Sequence, residues 1–285
     1  MNEVRQYIAS RLSPVYSGDE LNALIWWILE ELTSKNRAIL LTSGQISDIS
    51  DLQPRLDNVI SRLLKHEPVQ YIFGHTEWCG LDLIVTPAVL IPRPETAGIV
   101  SYMQHNVAGL SQMKILDVGT GSGCLAIALK RLYPHAHVTA LDISQEALDI
   151  ALRNAKLNNL DVNFIHSDIL NIEPHCEWAN MKYDVIVSNP PYIAESESET
   201  MENNVLDYEP SHALFVPDND PLLFYRETAR FASSRLNPGG VVMFEINRRF
   251  GSQTVQLMTS ELSETEVLLL QDDYGNDRFV VCRNR

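Results

Sequence analysis

The sequence has few cysteines and no long apolar run. Its four cysteines lie far apart and form no Cys-x-x-Cys pair. That spacing argues against a disulfide framework or a zinc knuckle and is typical of a protein in a reducing cytoplasm. The longest apolar runs, such as residues 21–29, are too short to span a bilayer. The first residues also lack the charged and then apolar layout of a secretory signal. We therefore expect a cytoplasmic protein with no membrane partner.

Positive charge is scarce as well, because 22 Lys and Arg face 37 Asp and Glu and give a net charge of −15. Binding nucleic acid through bulk electrostatics requires a basic surface, so we expect no direct nucleic-acid partner, although a local basic patch would be compatible with this charge. His135 and His137 lie two apart, but a metal site would need a third ligand that the pattern does not supply. We predict no bound metal. We also expect a monomer.

The N-terminal part of the chain has a helical pattern. Apolar residues at three- and four-residue spacing predict amphipathic helices over residues 20–32 and 52–64. We therefore predict an N-terminal helical domain over residues 1–68.

A short connecting stretch follows this helical part. Residues 69–74 and 81–85 alternate like short strands. Three prolines then interrupt regular structure and fix an extended path, at Pro87, Pro92 and Pro94. This stretch predicts a β-hairpin and a proline-rich linker over residues 69–95.

Residues 96–285 are predicted to form the larger domain. Apolar strands alternate there with amphipathic helices, and only a short turn separates the last two strands. The predicted strands are residues 114–118, 137–141, 162–166, 183–188, 241–246, 267–271 and 278–283. The predicted helices include residues 124–132, 145–157 and 222–236. This order predicts an α/β fold with a doubly wound parallel sheet and an antiparallel C-terminal hairpin at its edge.

A glycine-rich turn follows the first strand of this domain, where the strand enters a helix. Glycines at such a place allow positive φ and a close approach of the backbone to a ligand. A dinucleotide fingerprint would be matched by Gly121, Gly123 and Ala126, but that match begins two residues late in the turn. The alternative is the Asp/Glu-x-Gly-x-Gly-x-Gly turn of methyltransferases that use S-adenosylmethionine. This second pattern is filled completely, by Asp117, Gly119, Gly121 and Gly123, and is therefore favoured.

Two acids after the next strands stand where they could bind this cofactor. Asp142 ends the second strand, where a carboxylate can accept hydrogen bonds from both ribose hydroxyls. Asp168 follows the third strand, where an acid can receive the adenine amino group. Taken alone, each acid could equally be a helix cap or a solvated loop residue. The cofactor-binding residues predicted from these turns are Gly119, Thr120, Gly121, Ser122, Gly123, Asp142 and Asp168.

The run Asn189-Pro190-Pro191-Tyr192 after the fourth strand is the most specific feature of the chain. Two prolines remove two backbone donors and leave exposed carbonyls, and the Asn189 amide oxygen is a further acceptor. These acceptors can hold a planar NH2 group by both hydrogens, while Tyr192 stacks on the group that carries it. Such bonds localise the nitrogen lone pair toward a methyl sulfonium, so transfer requires no catalytic His, Cys or metal. We predict that these four residues bind the substrate and perform the catalysis; the alternative is an ordinary Asn-Pro turn.

Together these motifs resemble the HemK-type family of methyltransferases, which modify the glutamine of the Gly-Gly-Gln motif in peptide-chain release factors. The resemblance covers most of the chain. It includes the run Ile91-Pro92-Arg93-Pro94-Glu95-Thr96, which separates this family from nucleic-acid methyltransferases that share Asn-Pro-Pro-Tyr. It implies that Ile169 and Asn189 also bind the cofactor and that the N-terminal helices dock the release factor. It also implies methylation of the glutamine side-chain nitrogen, N5, with S-adenosylhomocysteine as the product.

The sequence departs from the family pattern at several positions. Asn247 stands where a glycine is common after Glu-Ile, and Ala97-Gly98 follows Glu95-Thr96 where a further acid is usual. We therefore expect some loop contacts to the partner to differ from those of the family. Arg93 and Glu95 could close over the cofactor, or they could pair with each other within the linker.

Other features leave alternatives open. Six acids and no base lie between residues 193 and 211. They form either a solvated loop or an acidic lip that steers a basic protein partner. One alternative function is an amino-group methyltransferase that acts on adenine or guanine in nucleic acid. Another is a docking module that keeps the fold without catalysis.

Overall fold

The computed structural model describes residues 2–43, 49–109, 112–173 and 175–284. No helix within these ranges is long and apolar enough to cross a membrane. The chain divides into two compact units. The first holds the residues up to Gly74 and the segment Glu202–Tyr208. The second holds His75–Met201 and the residues from Glu209 onward.

The first unit is helical and has its own apolar core. Its N-terminal helices are α1 (Asn2–Leu12), α2 (Gly18–Thr33), α3 (Arg37–Ser43), α4 (Ile49–Leu63) and α5 (Val69–Phe73). Apolar residues recur at helical spacing, so that Ile28 and Leu32 of α2 meet Leu56, Ile60 and Leu63 of α4 in one core. The helices predicted over residues 20–32 and 52–64 are therefore confirmed.

Helix α5 occupies residues where the sequence pattern predicted a strand, so that prediction is wrong. The helix ends at Gly74, whose φ of 79° gives the left-handed conformation typical of a helix C-terminus. Val69 and Ile72, three residues apart, both pack against the core of the first unit, which fits a helical rather than an alternating period. The β-hairpin lies just beyond, between β1 (His75–Trp78) and β2 (Leu81–Ile84).

The remaining elements follow in chain order. They are α6 (Ala97–Asn106), β3 (Lys114–Val118), α7 (Cys124–Leu132), β4 (His137–Asp142), α8 (Gln145–Leu157), β5 (Asn163–His166), α9 (Glu177–Asn180), β6 (Tyr183–Ser188), β7 (Ile193–Ala194), α10 (Asn203–Leu206), β8 (Phe215–Val216), α11 (Leu223–Arg235), β9 (Leu236–Glu245), α12 (Gly251–Glu261), β10 (Thr265–Gln271) and β11 (Asp277–Asn284). β9 begins earlier than predicted, at Leu236, and its register with β6 shifts between Tyr183 and Val185.

Seven of the described strands form the central sheet of the second unit, in the order β10-β11-β9-β6-β3-β4-β5. The strands from β9 to β5 run parallel, whereas β11 is antiparallel to both β9 and β10. The predicted doubly wound sheet with an antiparallel C-terminal edge hairpin is therefore confirmed.

Helices cover both faces of this sheet, because successive residues of a buried strand point to opposite faces. Ile115 of β3 packs in one core with Ile127 of α7. The next residue, Leu116, packs in the other core with Tyr225 of α11. The strand order reverses at β3, since β4 lies on one side of it and β6 on the other. In open α/β sheets, the crevice at the carboxyl ends of the strands at such a reversal is the usual ligand site.

Candidate functional site

A cavity of about 230 Å³ lies at the carboxyl ends of β3, β4 and β6. Residues that follow these strands form much of its wall, and residues 167–170 after β5 add to it. Leu90, Pro92 and Arg93 of the linker also line the cavity, as does Thr96 just after it. One cavity therefore joins the glycine turn to the Asn-Pro-Pro turn, although the two are far apart in the sequence.

Most of the predicted site residues line this cavity, but two do not. Those that line it are Gly119, Thr120, Gly121, Ser122, Asp142, Asp168, Ile169, Asn189, Pro190 and Pro191. Gly123 and Tyr192 lie outside the lining. The half-buried Tyr192 packs against the core that α11 covers, and its hydroxyl is bonded to Glu245. Its stacking on a substrate stays a prediction.

The glycine turn is held open toward the cavity. Gly119 and Gly121 have φ of 73° and 54°, and a Cβ built on either would meet no described atom within 4 Å. Their backbone is therefore free for a ligand to approach. Gly123 has a different role, because a Cβ there would lie 2.9 Å from the Cβ of Ala151 in α8. Glycine at this position allows the start of α7 to pack closely against α8.

Asp142 connects the end of β4 to the glycine turn. Its Oδ2 accepts a hydrogen bond from the Gly121 N–H at 2.8 Å, and its Oδ1 accepts one from the Ser144 N–H at 2.9 Å. The Leu141 carbonyl also accepts from the N–H groups of Gly119 and Thr120. Each carboxylate oxygen has a second lone pair, so Asp142 keeps acceptor capacity toward the cavity that it lines.

Asp117 lies beneath the turn and is almost fully buried. Burial raises the pKa of its carboxyl to about 7, against the opposing effects of hydrogen bonds from the Thr120 hydroxyl and the Ala126 backbone. The Thr120 bond measures 2.6 Å. By accepting these hydrogen bonds, Asp117 stabilises the turn and the start of α7.

The region beyond Asp142 combines one acid with apolar walls. Asp168 lines the cavity, and its Oδ1 accepts a hydrogen bond from the Leu170 N–H at 2.8 Å. Ile169 is buried beside it, while Ile143 and Leu170 line the cavity and are largely exposed. Exposed aliphatic side chains beside a carboxylate suit a flat apolar ring that carries a polar edge group.

The Asn-Pro-Pro turn is fastened to its surroundings by side chains on both sides. The buried Ser188 hydroxyl donates to the Val118 carbonyl at 2.6 Å, which ties the end of β6 to the end of β3. The Asn189 Nδ2 donates to the Thr96 hydroxyl at 3.1 Å. Behind the turn, Asn247 Nδ2 donates to the Tyr192 carbonyl at 3.0 Å.

Arg93 lines the cavity, and its ion-pair partner is Glu209, at 2.7 Å, rather than a residue of the linker. The other oxygen of the buried Glu209 carboxylate accepts from the Ile91 N–H at 3.3 Å. Glu209, one of the six acids of the loop after Tyr192, thus holds the linker in place. Glu197 likewise pairs with Arg249, so two of the six acids of that loop have basic partners in distant parts of the chain.

Comparisons with known proteins identify the family. Residues 3–74 match the family model of the PrmC N-terminal domain, and residues 96–208 match that of the methyltransferase small domain. A release factor glutamine methyltransferase from Bacteroides thetaiotaomicron is 40% identical over 99% of this chain and 99% of its own. A second, from Flavobacterium psychrophilum, is 39% identical over 97% of this chain and 96% of its own. The chain belongs to the release factor glutamine methyltransferase family.

A solved structure agrees with the fold of this family member. The crystal structure of a methyltransferase from Pyrococcus furiosus matches with a TM-score of 0.53 and 20% identity, over 80% of this chain and 98% of that chain. At that identity the likeness shows the fold alone.

As a member of this methyltransferase family, the protein uses S-adenosylmethionine, and the cavity fits that cofactor. The backbone at Gly119 and Gly121 is open to a ligand. A carboxylate with spare acceptor capacity, Asp142, stands next to them, and the apolar residues Ile143 and Leu170 follow. A backbone open to a ligand, a carboxylate acceptor and an apolar wall are features that a ligand with an amino-acid tail, a ribose and an adenine ring requires.

The sequence pattern missed several residues that shape the site of this methyltransferase. Thr96 and Glu245 stand in the motifs that carried the resemblance, but their hydrogen bond joins positions 149 residues apart. Asn154 of α8 is fully buried, and its amide donates to the carbonyls of Ser122 and Ile84. Asn154 could have been found from the sequence, because it is a polar residue on the core-facing side of a predicted amphipathic helix. For His212, which also lines the cavity, the sequence held no signal.

Proposed function

We propose that this methyltransferase transfers the methyl group of S-adenosylmethionine to the side-chain amide nitrogen, N5, of the glutamine in the Gly-Gly-Gln motif of peptide-chain release factors. One observation carries the proposal: the Asn-Pro-Pro turn, an acceptor for an amide NH2, and the glycine turn line the same cavity. The two relatives described above are named for glutamine methylation of release factors. Methylation of nucleic acid is not favoured, since the net charge of −15 opposes binding a polyanion.

The proposed chemistry depends on how the chain holds the amide. When bound, S-adenosylmethionine would supply the methyl group of its sulfonium, and S-adenosylhomocysteine, in which that sulfur is a thioether, would be the leaving group. Asn189 Oδ1 and the carbonyls of Pro190 and Pro191 accept hydrogen bonds from the substrate NH2, which localises the nitrogen lone pair. The nitrogen is acidic once methylated, so its proton can pass to water without a strong base. Tyr192 closes the turn and, in this proposal, stacks on the amide plane.

The other lining residues hold the cofactor in this proposal. The backbone of Gly119, Thr120, Gly121 and Ser122 faces the amino-acid tail, with Gly123 setting the angle of α7 behind it. Asp142 accepts from the ribose hydroxyls. Asp168 and Ile169 receive the adenine, the first at its amino group and the second at its ring face.

Cysteine chemistry is not needed at this site. Cys124 lines the cavity at the start of α7, but burial raises the pKa of its thiol to about 12. A thiol with that pKa stays protonated at neutral pH and is a poor nucleophile. This agrees with a mechanism based on positioning and hydrogen bonds.

We also infer that the helical first unit docks the release factor, as the resemblance to this family implies. Translation takes place in the cytoplasm, so we place the protein there. The acids of the loop after Tyr192 that remain outside the two ion pairs could add electrostatic attraction for a basic partner. We expect the protein to act as a monomer.

The test is a methyl-transfer assay with labelled S-adenosylmethionine and three acceptors. The acceptors are a purified release factor, the same factor with Ala in place of the Gly-Gly-Gln glutamine, and adenine-containing nucleic acid. We expect label in the first acceptor alone. Label that persists in the Ala-substituted factor, or that appears only in nucleic acid, would overturn the proposal. Binding of the factor without any label would indicate a docking module instead.

A variant tests the role of the acceptor turn. Asn189→Ala should abolish transfer while largely sparing cofactor affinity, because the side chain mainly holds the substrate NH2. Asn106→Ala, at an exposed position of α6, is the matched control and should keep normal turnover. Near-normal turnover of Asn189→Ala would contradict the proposed mechanism.

A further inference from the structure

A chain of hydrogen bonds runs from Asn189 into the interior. Asn189 Nδ2 donates to Thr96 Oγ1 at 3.1 Å, and that hydroxyl donates to Glu245 Oε2 at 2.6 Å. The Tyr192 hydroxyl donates to the other carboxylate oxygen, Oε1, at 3.1 Å. Thr96 is 3% exposed and Glu245 is 1% exposed, so water does not compete for these bonds.

The direction of these bonds is fixed by the carboxylate at their end. An ionised carboxylate only accepts hydrogen bonds, so the single proton of the Thr96 hydroxyl goes to Glu245. The Thr96 oxygen can then only accept from Asn189. The NH2 end of the Asn189 amide must therefore face Thr96, and Oδ1 must face the other way. The described residues supply no hydrogen bond to this oxygen.

Two hydroxyl donors and one cation help to keep Glu245 in its accepting form. Burial has the largest effect and raises the pKa of this carboxyl above its usual value, while the bonds from Thr96 and Tyr192 and the charge of Arg278 limit that rise. Glu245 is placed at the end of β9 by pairing with Phe279 of β11. The polarity of the chain thus depends on a residue that the central sheet holds in position.

This orientation matters for recognition of an amide. The two ends of an Asn side chain have almost the same shape, but one donates and the other accepts. If the amide turned over, its NH2 would face the NH2 of the substrate, and two donors would oppose each other. A hydrogen-bonding group that is removed from water without gaining a partner destabilises the complex, so the turned-over amide would disfavour substrate binding.

We infer that Thr96, oriented by Glu245, is a positioning residue that fixes the Asn189 amide with its oxygen toward the substrate NH2. This inference rests on the proposed function, because it assigns the acceptor role of Asn189 to an amide substrate. Thr96 acts through Asn189 and needs no contact with the reacting atoms.

The test compares Thr96→Val, which removes the hydroxyl at constant shape, with Thr96→Ser, which keeps it. We expect Thr96→Val to lower kcat by ~10- to 100-fold, while KM for the release factor and Kd for S-adenosylmethionine change less than about threefold. Thr96→Ser should recover most of the lost turnover. Glu245→Asp, which withdraws the carboxylate by one methylene, should also lower kcat.

The matched control is Thr254→Val in α12. Thr254 is also fully buried, but its hydroxyl donates to the Phe250 carbonyl and does not line the cavity. Its loss should lower thermal stability without changing kcat. Equal turnover of Thr96→Val and wild type would overturn the inference, as would equal impairment of the Val and Ser variants.

A spectroscopic readout separates this inference from the proposed function. The side-chain amide signals of Asn189 can be assigned in a 1H–15N spectrum by their loss in Asn189→Ala. We expect Thr96→Val to shift these signals and Thr96→Ser to preserve them, whichever substrate is methylated. Unchanged signals in Thr96→Val would contradict the inference alone, whereas a wild-type enzyme that leaves release factor unlabelled would contradict the proposed function.

Discussion

The carboxylate of Asp142 accepts the backbone N–H of Gly121 at 2.8 Å, across the gap between the end of β4 and the turn after β3. The acid at the end of one strand therefore shapes the glycine turn at the end of its neighbour. Because Asp142 also lines the cavity, a single side chain orders the turn and offers acceptors to a ligand.

Asp142→Ala should weaken binding of S-adenosylmethionine by ~10- to 100-fold, since both the ribose acceptor and the anchor of the turn are lost. Isothermal titration with the cofactor and with S-adenosylhomocysteine measures the change. Asp149→Ala, an exposed acid on α8, removes the same charge outside the cavity and should bind normally. An unchanged dissociation constant for Asp142→Ala would contradict the ribose role.

The glycines of the turn should differ in their tolerance of a methyl group. Gly123→Ala combines a φ of 80° with a Cβ 2.9 Å from that of Ala151, so we expect it to lower the free energy of unfolding by roughly 2–4 kcal/mol. Gly119→Ala carries only the cost of its φ, roughly 1 kcal/mol. Urea denaturation of both variants measures the difference. Equal losses at the two positions would show that close packing on α8 is not the reason for Gly123.

Asp117 should make stability fall as pH rises. The raised pKa of about 7 means that, between pH of about 4 and 7, the unfolded chain has lost this proton and the folded chain has kept it. The folded state then binds more protons, so each rise in pH destabilises it, by roughly 4 kcal/mol over the whole window. Above about pH 7 both states are ionised and the effect ends.

Asp117→Asn removes this titration while keeping an acceptor for the Thr120 hydroxyl. Urea denaturation at pH 5 and pH 7.5 should therefore show wild type losing stability relative to the Asn variant at the higher pH. Because both proteins contain the same other groups that titrate in this range, the contribution of those groups to the pH dependence cancels in the comparison. A constant difference between the two proteins at both pH values would refute the buried acid as the source.

Asn247 should hold the loop that follows the acceptor turn. Its Nδ2 donates to the Tyr192 carbonyl at 3.0 Å and to Glu197 Oε1 at 3.1 Å. Asn247→Gly should lower turnover severalfold without changing cofactor affinity, because it frees the turn beside Asn189. Asn247→Asp should be worse, since it places a second carboxylate against Glu197. Steady-state kinetics of the pair measures this, and an Asp variant that outperforms the Gly variant would argue against the contact.

Much of the second unit could be predicted because its local patterns are strong. Buried parallel strands such as Lys114–Val118 have continuous apolar runs, and helices such as Cys124–Leu132 follow them directly. The strand predicted over residues 69–74 was wrong because a segment as short as Val69–Phe73 fits either period, and contact with the first unit's core decides between them. The placement of Glu202–Tyr208 with the first unit had no local signal either.

The candidate site shows the same difference between local sequence patterns and contacts of distant residues. That the glycine turn and the Asn-Pro-Pro run belong to the candidate site could be predicted, since each is a continuous motif that can be recognised from its own residue types. The partners of those motifs could not. Arg93 meets Glu209 from 116 residues away, and Thr96 meets Glu245 from 149 residues away. No spacing rule connects such pairs, because the sheet brings them together.

The sequence by itself determined the chain order of the seven strands of the central sheet, the positions of the glycine turn and the Asn-Pro-Pro run, and the family resemblance, because these depend on periodicity and on short contiguous motifs. Only the tertiary structure decided that Gly123 serves helix packing, that Arg93 is held by Glu209 and that the Asn189 amide has a fixed direction. The physical reason is that φ and apolar pattern are local properties. Close packing and hydrogen-bond polarity, in contrast, depend on which distant side chains the fold buries together.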